Sequence, residues 1–388
     1  RNVSALADAA GASLARGPGW SRREGLAPGF AWLTEKFSAD QTAALSELAF
    51  ASAVDAIAAQ IGDPALAAAL CFEAVFGSTA SPSAPGSAIG FARRLAGDAN
   101  AAKAGGCPAG GMGAFAEALR RAAEKSGVDI RTGVDVAGVL VEWDAAAGIQ
   151  MSDGGQLRAP VVVSALNAQR TYAELLGPDC VDLEIADAFS SSRPAIGAAK
   201  MHIALKNSPE FYGAERSDLI GRLLLLPDLS GLEAAFSAAK RGEAPEAPPM
   251  EIIIPSAHDA DMAADGRHVV SAMIYPAPYA PGKDIRKRLL RRAYDALAKA
   301  APTLRENTLT AELRTGADLE ADYGACEAPF RAAPPLSAQW FTAGSLEAGG
   351  GVDGFFFCGP EVNLSARLSG APGRQAARAA VKYARRRG

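Results

Sequence analysis

Histidine is nearly missing from this chain: His202, His258 and His268 are the only three in 388 residues. That argues against a histidine-rich metal centre. Cysteine is almost as scarce. Cys71, Cys107, Cys180, Cys326 and Cys358 are odd in number, far apart, and form no Cys-x-x-Cys pair. Neither a disulfide framework nor a zinc site is expected from them, and a reducing compartment, cytoplasm or organelle matrix, is the simplest reading. There is no run of about 18 apolar residues, so no transmembrane segment is expected. The net charge of −4 offers no polyanion-binding surface, so nucleic acid is not an expected partner. Also lacking is any apolar strand that leads into a Gly-x-Gly-x-x-Gly turn.

What is present is a globular composition, 49% hydrophobic and 21% charged, long enough for one large domain or two intertwined ones. The first residue is Arg1, which reads as a fragment, a processed chain or a chain whose start is not included. Apolar periodicity predicts helices over Gln41–Gln60, Pro64–Phe76, Ala88–Leu95 and Ala114–Ser126. The last has an apolar face of Phe115, Ala118, Leu119 and Ala122, and Gly127 stands where a cap glycine belongs. Short strands follow at Val128–Arg131, Val136–Trp143, Gly148–Ser152 and Gln156–Ser164, with a turn at Asp153-Gly154-Gly155. Beyond a helix near Ala168–Leu176, four strands of one sheet are expected at Ala198–Leu205, Arg222–Leu226, Met250–Pro255 and Val269–Tyr275. Helices Gly231–Arg241, Asp284–Ala300 and Gly373–Arg387, and strands Leu309–Leu313 and Phe355–Cys358, complete the pattern. The basic run Arg286-Lys287-Arg288 with Arg291-Arg292 reads as a solvated helix face or, less simply, a membrane-surface contact. His202 and His268 fall on strands, where a lone histidine is usually structural.

Several segments, in order, carry a family likeness. They are the loop Phe76–Ser87, Gly110-Gly111-Met112-Gly113 opening a helix, and the strands and hairpin from Gly127 to Leu166. Further on come Glu251–Ser256, Gly266–Ser271, Asp318-Leu319-Glu320, Phe357-Cys358-Gly359 and Gly370-Ala371-Pro372-Gly373-Arg374. Over roughly residues 65–385 the chain resembles the phytoene-dehydrogenase-like, amine-oxidase-related FAD-dependent oxidoreductases. The resemblance implies an α/β fold: an incomplete FAD-binding Rossmann-like domain interleaved with a helix-plus-antiparallel-sheet substrate domain. The expected division is 105–185 with 341–388 for the first and 1–104 with 186–340 for the second. The resemblance also implies FAD contacts at Val136, Gly359, Glu361, Leu368, Ser369 and Gly370, with adenine read by the Val136 backbone. A hydrophobic small-molecule substrate is implied, with hydride removal by the flavin; no catalytic acid or base is assigned.

Two departures touch the cofactor. The family's opening strand, glycine turn and helix, which would hold the pyrophosphate, do not occur. Gly111-Met112-Gly113-Ala114-Phe115-Ala116 has a similar spacing but follows a loop, and reads as a decoy. Secondly, Pro360–Ser369 keeps the family's spacing but not its glycines, so Ser365, Ala366 and Arg367 stand where a flavin would come close. Arg367 is either a cation for a phosphate or flavin oxyanion, or a filler of vacated space. Glu361 is a ribose ligand or a surface acid. The function expected is therefore an FAD-dependent oxidoreductase completed by a segment supplied elsewhere. The alternative is a flavin-free, inactive relic serving as a scaffold or complex subunit. Either way the unfinished parallel sheet calls for a protein partner at its open edge.

Overall fold

The computed structural model describes residues 38–40, 43, 47, 50–88, 90–91, 108–181, 195–323, 351–359 and 370–387. Its largest element is a five-stranded antiparallel sheet. The strands are β5 (Ile196–Leu205), β6 (Leu223–Leu225), β7 (Met250–Ile253), β8 (His268–Pro278) and β9 (Thr308–Thr315), in the order β6-β7-β8-β5-β9. All four strands expected in one sheet are there, and β9 adds the fifth. Alternation along β5 explains the layering, because successive side chains point to opposite faces. Met201, Ile203 and Leu205 join Val270, Ala272 and Ile274 of β8 on one face. There they meet Leu289, Ala293 and Leu297 of the long helix Lys283–Ala300. These helical positions are spaced by four, which puts one stripe on the sheet.

On the opposite face the described residues form a second cluster at one end. Ile196, Ala198 and Tyr275 pack there against Phe72 and Val75 of helix α1 (Pro64–Val75). Leu232 and Phe236 of a second helix, Leu229–Lys240, complete the cluster. Each helix starts on an aspartate cap, Asp63 accepting from the Leu66 N–H and Asp228 from the Gly231 N–H. The buried Tyr275 hydroxyl donates to the Ser78 carbonyl, tying the loop after α1 to the sheet.

A second assembly is built from smaller pieces. An antiparallel meander runs β1 (Val136–Glu142), β2 (Ala145–Met151), β3 (Gln156–Arg158). Beside it, β4 (Val162–Ser164) and β10 (Phe355–Phe357) form a two-stranded parallel sheet. Tyr172, on a π-helical segment Gln169–Leu176, packs its ring 5.3 Å from Phe357 and 6.4 Å from Phe355. The closing helix, Ala371–Arg387, sets Tyr383 against Phe356 at 6.0 Å.

Differences from the sequence expectation have local causes. The single strand expected over Gln156–Ser164 is two, split around Pro160, which has no N–H to give a ladder. Residues Val128–Arg131 form no strand: no strand among the described residues lies beside them, and Val128 and Ile130 are exposed. The β1–β2 hairpin turns on Trp143 and Asp144, both at positive φ (54° and 59°), without the glycine such turns favour. The helix expected over Gln41–Gln60 breaks at Ala51, and Ser52 caps a new turn, Ala53–Ala56. The Ala88–Leu95 expectation lies largely outside the described residues.

Helix α2 (Gly111–Lys125) is the exception to close packing. It ends as expected, with the Gly127 N–H bonded to the Glu124 carbonyl and the Val128 N–H to that of Ala123. Its apolar face, however, is uncovered: Met112, Phe115 and Leu119 are 57%, 39% and 57% exposed. Two substitutions check this contrast in denaturant unfolding. Phe236→Ala is expected to cost about 3–5 kcal/mol, since it empties a closed core, whereas Leu119→Ala is expected to stay within about 0.5 kcal/mol.

Candidate flavin-binding half-site

The parallel pair sets the site. Register pairs Phe355 with Val162, Phe356 with Val163 and Phe357 with Ser164, and the Cys358 N–H then bonds the Ser164 carbonyl at 2.8 Å. Both strands run the same way, so their carboxyl ends finish side by side, at Ser164–Asn167 and at Cys358–Gly359. Ligands of open parallel sheets bind at such ends. Gly359 is required by this join: a Cβ there would stand 2.2 Å from the Leu166 carbonyl oxygen and 2.3 Å from the Phe357 ring. The turn after β4 is held by Asn167, whose Oδ1 accepts from the Arg170 N–H at 2.7 Å, and by Ser164 and Thr171, whose hydroxyls meet at 2.7 Å.

Gly370 stands just before the closing helix, exposed and at φ +63°. A Cβ at Gly370 or Gly373 would meet nothing within 4 Å. The helix's first N–H groups and positive dipole end suit an anion. Val136 opens β1 opposite Met151 and is half-buried. Its strand shares a core with the parallel pair, since Val139 and Val141 pack with Tyr172, Phe355 and Phe357. Among the described residues no hydrogen bond joins Val136 to Gly359 or Gly370. Glu361, Leu368 and Ser369, together with Ser365, Ala366 and Arg367, lie outside the described residues.

The Gly111-Met112-Gly113 turn is already engaged. The Gly110 N–H donates to Asp259 Oδ2 at 2.9 Å, and a Cβ on Gly111 would press on Met262 at 3.1 Å. A carboxylate of this chain therefore sits where an anion would approach. Hydrogen bonds from the Gly110 and Asp261 N–H groups hold the Asp259 carboxyl below its ordinary range. This latch was not legible in the sequence, because Asp259 is about 150 positions from its partner.

Other candidates resolve quietly. Cys358 adjoins Gly359, but burial raises its thiol pKa, and burial pushes Cys71 up to about 11, so neither is a poised thiolate. Cys71, Cys180 and Cys358 are free thiols. No cluster among the described residues could hold a metal ion, and no described helix is long and apolar enough to cross a membrane. His268 has its Nδ1 3.1 Å from the Ser256 hydroxyl, a structural role as expected. In the basic run, Arg286 pairs with Asp318 and Arg292 with Glu246, leaving Lys287, Arg288 and Arg291 exposed. A groove of about 620 Å³ lies along the closing helix, lined by Arg374, Arg378, Val381 and Lys382.

An α/β architecture of the flavin-binding type is what these elements define, and comparison with known proteins agrees. The family described as flavin containing amine oxidoreductase matches residues 19–380. The chain belongs to that family. A mouse relative named pyridine nucleotide-disulfide oxidoreductase domain-containing protein 2 is 28% identical over 332 residues, 80% of this chain and 57% of that protein. A 4,4'-diapolycopene oxygenase of Methylomonas sp is 23% identical over 289 residues, 67% of this chain and 53% of the relative. The chain thus spans somewhat more than half the length of these curated relatives. Among solved structures, an oxidoreductase from Methanosarcina mazei superposes with a TM-score of 0.54 at 16% identity, covering 86% of this chain and 68% of that one. A putrescine oxidase triple mutant also gives 0.54, at 13% identity, covering 88% and 69%. Both show the fold.

Two measurements follow from this geometry. Gly359→Ala forces the ends of β4 and β10 apart and should lower the unfolding free energy by about 1–3 kcal/mol, while Gly62→Ala, with open space around it and no positive φ, should leave it nearly unchanged. For Asp259, the depressed folded pKa means its contribution is present above the unfolded carboxyl pKa and fades as pH falls through the folded value. The Gly110 amide resonance should follow that acid titration, and Asp259→Asn should flatten it.

Proposed function

We propose that this chain is the larger part of an FAD-dependent dehydrogenase or desaturase of the phytoene-dehydrogenase-like kind, acting on an apolar substrate. Family membership supports the flavin, and the diapolycopene in the name of the Methylomonas relative favours a hydrophobic substrate. The observation that carries the reading is the parallel pairing of β4 and β10, whose carboxyl ends finish side by side at Ser164 and Gly359. Gly359, Gly370 and the Val136 backbone are the described groups that would hold the cofactor, with Glu361, Leu368 and Ser369 assigned by resemblance. Bound there, the flavin would accept a hydride from the substrate. The chain's own groups would do the holding: N–H groups at the closing helix meet negative charge, and Gly359 keeps the strand ends close. In this reading the division is 105–185 with 341–388 for the flavin and 1–104 with 186–340 for the substrate.

The half-site also needs completing. Among the described residues β4 has one strand neighbour, Val163 is 46% exposed, and the apolar groups Val128, Ile130 and Val134 lie uncovered beside the bare face of α2. A parallel sheet is ordinarily covered on both faces. We assign that cover to a strand–glycine turn–helix unit from outside these 388 residues or from a partner protein, in a reducing compartment. The competing reading, a flavin-free scaffold, draws on the glycines replaced in Pro360–Ser369.

The deciding experiment is the near-UV and visible spectrum of the protein isolated from its own cells. Flavin bands that survive gel filtration are expected. A flat spectrum that added FAD does not change hands the function to the scaffold reading.

A further inference from the structure

The second face of the five-stranded sheet is polar beyond its apolar cluster, and its outer charges are paired. Arg222 bridges Glu73 at 2.7 Å and Glu251 at 2.6 Å, and Arg314 pairs with Asp322. Between these lie Lys200 and His202 on β5 and Ser271 on β8. Register places His202 opposite Ser271 on one side and Glu312 on the other, and Lys200 opposite Met273 and Arg314. Directly opposed residues share a face and are close enough to touch.

These three differ from their neighbours. Ser271 is 3% exposed, and its Oγ, shut off from water, has no hydrogen-bond partner. A buried hydroxyl left so costs about 1–3 kcal/mol. Neither the Lys200 ammonium nor the His202 ring makes a hydrogen bond or ion pair with a described residue, although both are half-buried. His268, the other strand histidine, shows the contrast, since it meets Ser256. Burial lowers the Lys200 pKa, against the pull of Glu251. Burial, then Lys200 and Arg314, lower that of His202 against Glu312. Three adjoining polar groups without partners, one of them sealed from solvent, call for an occupant that satisfies them together.

We propose that Lys200, His202 and Ser271 form a receptor for a carboxylate-type oxygen anion carried on an apolar body. Lysine supplies the charge, and the hydroxyl and the imidazole N–H supply directed donors. Ile253 on β7, opposite Ser271 and 38% exposed, and the half-buried Met273 offer apolar contact beside it. Among the described residues no hydrogen bond ties down the Lys200 or His202 side chain, so turning either toward a ligand breaks none. Taking the occupant to be the polar end of the substrate rests on the oxidoreductase reading; the anion site does not.

Three histidines give three resolvable imidazole signals, so the test is an NMR titration of the full chain with decanoate, with decanol as control. Decanoate should move the His202 signal saturably while His258 and His268 stay still, and decanol should not move it. Lys200→Met and Ser271→Ala should each weaken the apparent affinity about tenfold or more. Ser271→Ala removes one oxygen only, so it keeps the test decisive if the lysine variant fails to fold. An unmoved His202, an equal response to decanol, or affinities unchanged in the folded variants would overturn the site. The titration needs no flavin, so its failure leaves the cofactor reading standing, and a flat flavin spectrum leaves the titration to be judged alone.

Discussion

Backbone hydrogen bonding in a parallel strand pair of three residues each is the constraint on which the smaller assembly, built on β4 and β10, depends. Two such strands have little ladder of their own. Here the pair is held by what surrounds it: Tyr172 beneath the phenylalanines of β10, Tyr383 above Phe356, and the close join of Gly359 with Leu166. The same constraint explains why Val128–Arg131 stays irregular. Its residues have strand-like alternation, but a strand exists only where a neighbour takes up its N–H and C=O groups. The exposed faces of α2, of Val128–Val134 and of β4 are thus one physical situation, apolar surface prepared for layers that these described residues do not supply.

The five-stranded sheet is in a different position. Its first face is sealed by the long helix Lys283–Ala300, and on its second face the described residues pack together where Phe72, Phe236 and Tyr275 meet. An antiparallel sheet can alternate apolar and polar residues between its two faces, which is how lysine, histidine and serine come to stand on the second one. Core and polar positions alternate along the second half of β5: Met201, Ile203 and Leu205 make the core, while Lys200 and His202 carry the polar groups.

Much of this was legible in the sequence. Period-two alternation in β5 and β8 and period-3.6 spacing in the long helix located the larger sheet. The ordered motifs, from Gly110-Gly111-Met112-Gly113 to Gly370-Ala371, identified the family. What was not legible depended on contacts between distant positions. The Asp259 latch on Gly110, the pairing of β4 with β10 across about 190 residues, and the cross-strand placement of Ser271 opposite His202 are all of that kind. The turn at Trp143-Asp144 was hidden for another reason: both residues are poor signals for positive φ, and only the strand pairing imposes it.

The central claim is that flavin binding and the β4–β10 join are one structural unit. Amide hydrogen exchange tests it most directly, on the protein isolated from its own cells, before and after its flavin is removed. The account predicts faster exchange at residues 162–167 and 355–359 once the flavin is gone, with the centre of β5 and β8 unchanged. Exchange that rises only in the five-stranded sheet, or that does not change at the strand ends, would contradict it.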